Sequence, residues 1–156
     1  MAQAIPAGYA GVTAYLIIRG AARALEFYTK AFGATEVMRM PGPDGRIGHA
    51  EIRIGDGHVM LADESPEMGH RSPQSFGGSP VSLMFYVPDV DARFAKALAA
   101  GATVKHPIKD QFYGDRSGSI TDPFGYVWTI ATHTEDVPED EMQRRIVAMM
   151  DRGESP

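Results

Sequence analysis

His49 and Glu51 stand two residues apart in HAEIRI, a stretch of alternating polar and apolar residues. Side chains two apart on a β-strand point to the same face, so this imidazole and carboxylate would lie within hydrogen-bonding reach. Such a pair can act as a general base or help to hold a metal ion. It is equally typical of a polar contact on a partly solvated sheet. His49 and Glu51 are therefore candidate catalytic residues, with both interpretations open.

Five further residues alternate along two apolar segments and are predicted to bind a ligand. Thr13 and Tyr15 lie in the first segment, and Ser82, Met84 and Tyr86 lie in the second. Tyrosines and a flexible methionine beside a few hydroxyls suit an apolar pocket with polar anchors. Simple filling of a core is the alternative.

The segment DQFYGDRSGS, residues 110–119, is the most polar of the candidate site loops. Tyr113 and Arg116 are predicted to close over a ligand from this loop. The guanidinium of Arg116 could hold a carboxylate or a phosphate through two parallel hydrogen bonds. The alternative is a salt bridge with a nearby acidic residue of the protein.

Composition excludes several classes of function. The chain has 156 residues, a net charge of −5 and no cysteine, so disulfides, thiolate catalysis and cysteine metal sites are absent. Its basic residues form no run that would suit phosphate backbones, and no nucleic-acid partner is expected. No apolar stretch has the roughly 20 residues of a membrane helix, and no secretory signal is evident. We expect one cytoplasmic domain, residues 1–156, that does not bind membranes.

An internal repeat organises the elements that carry these residues. Shifting the sequence by 68 residues places Gly33-Ala34-Thr35 on Gly101-Ala102-Thr103, and a shift of 69 fits better before the first helix. Each half reads as a strand, a helix and three strands, with glycines at the helix ends. The predicted order is two βαβββ modules, at about 12–64 and 81–133, joined by a flexible linker at 65–80. A helix at about 138–152 follows, with its acidic residues in the first turn.

Three segments carry a resemblance to a known family: LEFYTKAFGA, HAEIRIGDGHVMLADE and DPFGYVWTIATH. They resemble the PhnB-like branch of the vicinal oxygen chelate superfamily, which comprises glyoxalases, bleomycin-resistance proteins and dioxygenases. The resemblance implies an α+β fold in which two tandem βαβββ modules form curled mixed sheets around a concave cleft. It also implies a homodimer and a small-molecule ligand in that cleft.

The resemblance also implies a test for a metal. Metalloenzymes of the superfamily take one ligand from the first strand and one from the fourth strand of each module. These positions become Thr13, Leu61, Ser82 and Thr129, and none is a good ligand for a divalent metal. We therefore expect neither the standard metal nor another cofactor.

The sequence supports three hypotheses of function. The first is a protein that binds a small organic molecule without the standard metal. The second is a lyase, isomerase or dioxygenase-type enzyme that uses His49 and Glu51 or a relocated metal. The third is an interaction module without a ligand. We favour the first, because all four expected ligand positions lack a metal-binding side chain.

Overall fold

The computed structural model describes residues 2–154 and contains two four-stranded mixed sheets, one from each half of the chain. In both sheets the first strand runs parallel to the fourth, and the other neighbours are antiparallel. The elements are β1 (Ala14–Ile18), α1 (Ala21–Phe32), β2 (Thr35–Pro41), β3 (Ile47–Ile54), β4 (Gly57–Asp63), a 3-10 turn (Pro66–Met68), α2 (Pro73–Phe76), β5 (Ser82–Tyr86), α3 (Val90–Ala99), β6 (Thr103–Asp110), β7 (Asp115–Thr121), β8 (Val127–His133) and α4 (Glu139–Asp151). The strand orders are β1-β4-β3-β2 and β5-β8-β7-β6. The predicted α+β fold with two βαβββ modules is confirmed.

The alternation in β3 separates a core face from an outer face. Ala50 and Ile52 are fully buried, whereas His49 and Glu51 on the opposite face are partly exposed. The helix α1 covers the apolar face of its own sheet and also packs against α3. A cluster of aromatic rings from both modules fills this junction, and Phe32 packs there against Trp128 with ring centroids 4.9 Å apart and the rings tilted by 55°. Trp128 is 2% exposed and belongs to the core.

The fourth strand of each module supplies a cap for the module's helix. The Asp63 carboxylate accepts hydrogen bonds from the backbone N–H groups of Gly20 and Ala21, both at 2.9 Å. The Thr132 hydroxyl accepts from the Val90 N–H at 2.9 Å, and the Asp89 carboxylate caps the same helix by accepting from the Ala92 N–H. These side chains satisfy N–H groups that a helix leaves without partners. The repeat therefore preserves the capping position and changes the residue type.

The hairpin between the last two strands differs between the modules, which corrects the predicted register. Arg53 pairs with His58 across four residues, and Thr121 pairs with Val127 across five. The two modules therefore correspond at a shift of 68 residues up to this turn and at a shift of 69 residues in the last strand. Leu61 is fully buried on the helix side. Met60 pairs with Tyr15 in the first sheet, and Thr129 pairs with Met84 in the second. Met60 rather than Leu61 is therefore the equivalent of Thr129.

Two segments predicted as a loop and as a flexible linker differ from that expectation. Asp115 and Arg116 belong to β7 rather than to a loop, because the turn is confined to residues 111–114. The predicted linker is held by Glu64, whose carboxylate accepts hydrogen bonds from the backbone and hydroxyl of Ser72 and from the Ser75 hydroxyl. No helix within residues 2–154 is long and apolar enough to cross a membrane.

Candidate functional site

The face of the first sheet opposite α1, called the first concave face because the resemblance implies a cleft on this side, carries a chain of four hydrogen-bonded side chains. The Tyr15 hydroxyl lies 2.8 Å from His49 Nδ1, and His49 Nε2 lies 3.0 Å from Glu51 Oε1. The other oxygen of Glu51 accepts a hydrogen bond from the Tyr9 hydroxyl. When Nε2 carries the proton and donates to Glu51, Nδ1 is free to accept from Tyr15. The structure thus brings together three of the predicted site residues.

The electrostatics of this chain favour a neutral tyrosine beside an ionised carboxylate. The hydrogen bonds from His49 and Tyr9 lower the pKa of the Glu51 carboxyl below its ordinary value. Partial burial and the nearby Glu51 charge raise the pKa of Tyr15. Tyr15 is 48% exposed, so its phenol is the member of the chain that a ligand would meet first. At neutral pH the group offers a hydroxyl oriented by an imidazole and a carboxylate.

The N-terminal segment covers the far end of this chain. The Tyr9 ring stacks on His58 with centroids 4.4 Å apart, and the Gly8 carbonyl lies 3.0 Å from His58 Nδ1. Sequence reasoning missed Tyr9, which lies 42 residues before Glu51. Its position outside every periodic segment left no signal that would have found it.

The concave face of the second sheet, called the second concave face, has its own hydrogen-bonded chain near the ends of its strands. The Tyr86 hydroxyl donates to the buried Asp115 carboxylate at 2.7 Å. The other Asp115 oxygen lies 2.8 Å from His133 Nδ1, and His133 Nε2 lies 3.0 Å from Asp136. The hydrogen bonds to Asp115 and Asp136 raise the pKa of His133, and the bond to Asp115 raises that of Tyr86. Sequence reasoning did not pair Tyr86 with Asp115 because it placed Asp115 in a loop.

A cavity of about 820 Å³ lies between the second concave face and α4. Its floor includes Ser117, Ser119 and Thr129, and the Ser119 and Thr129 hydroxyls are 2.8 Å apart. The predicted ligand-binding residue Tyr113 lines its rim next to Phe112. This volume lies within the roughly 300–1,000 Å³ typical of small-molecule sites.

The other predicted ligand-binding residues lie in both modules and, within the second sheet, on both of its sides; they do not line this cavity. Ser82 and Met84 alternate with half-buried neighbours on β5 and lie on the same side as Tyr86. Thr13 lies just before β1 and is partly exposed. Arg116 lies on the opposite side, where its guanidinium makes two 2.8 Å hydrogen bonds to Asp91 and one of 3.1 Å to Asp110. Because successive side chains on β7 alternate between the two sides of the sheet, Arg116 points away from the cavity. Its guanidinium is already bound to Asp91 and Asp110.

Comparisons with known proteins agree with this architecture. The family model of the Glyoxalase/Bleomycin resistance protein/Dioxygenase superfamily matches residues 11–130. The chain belongs to this superfamily. An uncharacterized Mycobacterium bovis protein, Mb0911c, is 46% identical over 143 residues, which are 90% of this chain and 92% of that protein.

Two solved structures illustrate the shared fold. TioX from Micromonospora sp. ML1 is 25% identical, with a TM-score of 0.63 over 83% of this chain and all of that one. A PhnB protein from Bacillus cereus, described as a putative 3-demethylubiquinone-9 3-methyltransferase, is 20% identical. Its TM-score is 0.61 over 78% of this chain and 98% of that one. At this identity the second likeness shows the fold alone.

The residues at the superfamily's metal positions do not fit a divalent metal. With the corrected register these positions hold Thr13, Met60, Ser82 and Thr129. Neutral hydroxyls and a thioether are poor ligands for the hard and borderline divalent ions that imidazole and carboxylate bind. Within residues 2–154 no group of three or more His, Cys, Asp or Glu side chains could hold a metal ion. The donor set therefore disagrees with the metal that the superfamily implies.

Proposed function

We propose that the protein binds a small organic molecule in the cavity on the second concave face and does so without the standard divalent metal. The observation that carries this proposal is the cavity of about 820 Å³ with its few hydroxyl anchors. Phe112, Tyr113 and Met149 supply apolar contact around Ser119 and Thr129. The lining also contains charged side chains, namely Lys109, Asp110, Arg145, Arg152 and Glu154. The pocket therefore suits an organic molecule that carries polar or charged groups beside an apolar part.

A fluorescent probe and two matched substitutions test this site. Anilinonaphthalene sulfonate is titrated into the wild type, Thr129→Phe and Met60→Phe, with and without added manganese, nickel or zinc. Thr129→Phe fills the cavity, whereas Met60→Phe changes the equivalent position on the first concave face. We expect only Thr129→Phe to weaken binding, by at least tenfold, and metals to have no effect. Equal loss in both variants, or a stoichiometric metal by elemental analysis, would contradict the proposal.

An acid–base enzyme is the second candidate, favoured by the Tyr15–His49–Glu51 chain. In this arrangement Glu51 orients His49, and His49 Nδ1 would take the proton of Tyr15 as that hydroxyl meets a substrate. One observation favours the binding function instead: the pKa of Tyr15 is raised by burial and by the Glu51 charge, so its hydroxyl gives up a proton less readily. A turnover found by substrate screening that is lost in His49→Ala, with the circular dichroism spectrum unchanged, would favour the enzyme.

We also propose a homodimer in the cytoplasm. The motivating observation for the dimer is exposed apolar surface on the concave side of β1 and β5, where Tyr15, Met84 and Tyr86 are 48%, 48% and 58% exposed. Such a patch is typical of an interaction surface. Light scattering should give twice the chain mass for the wild type and the single chain mass for Met84→Asp. A monomeric wild type at micromolar concentration would contradict the dimer. The cytoplasmic location rests on the cysteine-free composition alone.

A further inference from the structure

We infer that α4 is a movable lid over the cavity on the second concave face and that Arg145 is its latch. This inference rests on the proposed binding function. The family match ends at residue 130, so α4 is an addition to the part of the chain that defines the superfamily. One wall of the cavity belongs to this addition, because Arg145, Ala148, Met149 and Arg152 line it.

The first observation is that α4 lies over the cavity without joining the core. None of its residues is buried, although Met142, Ile146 and Met149 are half-buried on the side that faces the protein. A helix that formed part of the core would bury such residues fully, as α1 does with Leu25 and Tyr28. Helices held by few buried apolar contacts open at low free energy.

The second observation is that the attachment of α4 is concentrated at two places. Its leading segment is bound at the turn before β7, where the Gly114 carbonyl accepts hydrogen bonds from the N–H groups of Thr134 and Glu135, at 2.8 and 3.0 Å. Gly114 has φ +96°, and a Cβ there would meet the Glu135 carbonyl oxygen at 2.0 Å. This close approach makes the segment a fixed hinge point.

The second attachment is Arg145, half-way along the helix. Its guanidinium donates to the Phe112 carbonyl at 3.2 Å and to both Glu135 oxygens at 2.9 and 2.8 Å. Beyond Arg145, the groups that face the cavity are Ala148, Met149, Arg152 and Glu154, and Arg152 pairs with Glu154 rather than with the sheet. The whole of α4 can therefore swing outward about the Gly114 hinge once the Arg145 contacts break, which would open the cavity.

Arg144 offers a matched control for Arg145. The two arginines are neighbours on α4, and both pair with acidic residues of that helix, Arg144 with Asp140 and Glu141 and Arg145 with Glu141. Only Arg145 also reaches Phe112 and Glu135. Replacing each by methionine keeps the stem and removes the charge, so any difference between the variants reports the latch.

The experiment measures amide hydrogen exchange of residues 139–151 in the full chain, with and without anilinonaphthalene sulfonate. We expect exchange in Arg145→Met to rise about tenfold over the wild type, with β7 and β8 unchanged, and the probe to associate faster. Arg144→Met should behave as the wild type, and bound probe should slow exchange of α4. The lid proposal would be wrong if the two variants showed equal exchange rates in α4, or if a bound probe left the exchange rate of α4 unchanged. If Thr129→Phe left the affinity of the probe unchanged, the proposed binding site itself would be wrong.

Discussion

The two concave faces share one backbone plan but carry their hydrogen-bonded acids and imidazoles at different places. On the first face His49 and Glu51 lie in mid-sheet, where the second face has Ser117 and Ser119. On the second face the chain through Asp115 and His133 lies at the strand ends. The two modules therefore share their strand pairing and the positions of their helix caps, but they differ in where the polar groups of each face lie. Each face is also covered by a different terminal segment, the first by Tyr9 and the second by α4.

The largest difference in stability between the modules should come from the hairpin of the second. Buried Asp122 accepts hydrogen bonds from the Tyr28 hydroxyl at 2.8 Å and the Trp128 N–H at 2.9 Å, as well as from two backbone N–H groups. The Asp122→Ala variant leaves these buried donors unpaired, and each costs about 1–3 kcal/mol. We expect urea unfolding to show a loss of about 3–5 kcal/mol.

Asp56 in the hairpin of the first module is the control for Asp122. It is exposed, so Asp56→Ala should change the free energy of unfolding by less than about 0.5 kcal/mol. Equal losses in the two variants would remove this contrast between the modules.

The second effect concerns the packing of each sheet under its helix. At Gly118 an added Cβ would lie 2.8 Å from the Phe94 ring and 3.0 Å from the Ile108 nitrogen. The equivalent position in the first module accommodates Ala50. Gly118→Ala should therefore destabilise the protein by about 1–3 kcal/mol through overpacking. Adding Phe94→Leu should recover part of that loss in a double-mutant cycle, and strict additivity would contradict the clash.

The third effect is a difference in how stability depends on pH between the residue that follows β4 and the residue that ends β8. Hydrogen bonds from the Ser72 backbone, Arg19 and Ser75 lower the pKa of Glu64 to about 2. Because the folded pKa lies below the ordinary 4.5, this stabilisation is present above pH 4.5 and is lost as the pH falls toward 2. Glu64→Gln should cost about 1–2 kcal/mol at neutral pH. The difference from the wild type should vanish near pH 2, and a difference independent of pH would be evidence against the ionised anchor.

The smallest effect has the opposite sign. His133, the equivalent of Glu64 at the end of β8, has a pKa raised above 6.5 by Asp115 and Asp136. Its stabilisation is therefore complete below pH 6.5 and is lost as the pH rises through the raised pKa. An NMR titration of the His133 ring should give a midpoint above 6.5, and Asp136→Asn should lower it. An unchanged midpoint in that variant would show that Asp136 does not bind the protonated ring.

Local patterns predicted most of the fold but only part of the site. The helical pattern predicted a helix after the first strand, where α1 lies. The alternation in β3 correctly placed His49 and Glu51 on one face and Ala50 on the other. Tyr15 joined them because period-two parity holds along any regular strand. Arg116 was misplaced because β7 begins at Asp115, inside the polar segment that was predicted as a loop. Parity could not be applied to a residue assigned to a loop.

The sequence by itself determined the repeated element order, the glycines that end the helices and the faces of the strands, because these follow from local periodicity and contacts between near neighbours. Only the tertiary structure decided that Tyr9 meets Glu51, that Arg116 pairs with Asp91, and that α4 covers the second concave face. Those contacts join residues that are distant along the chain, and each depends on a hairpin length or terminal path that no local period encodes. The single extra residue between Thr121 and Val127 is the clearest case. This extra residue interrupts neither β7 nor β8, but it makes Met60 rather than Leu61 the residue that faces the cleft at the position equivalent to Thr129.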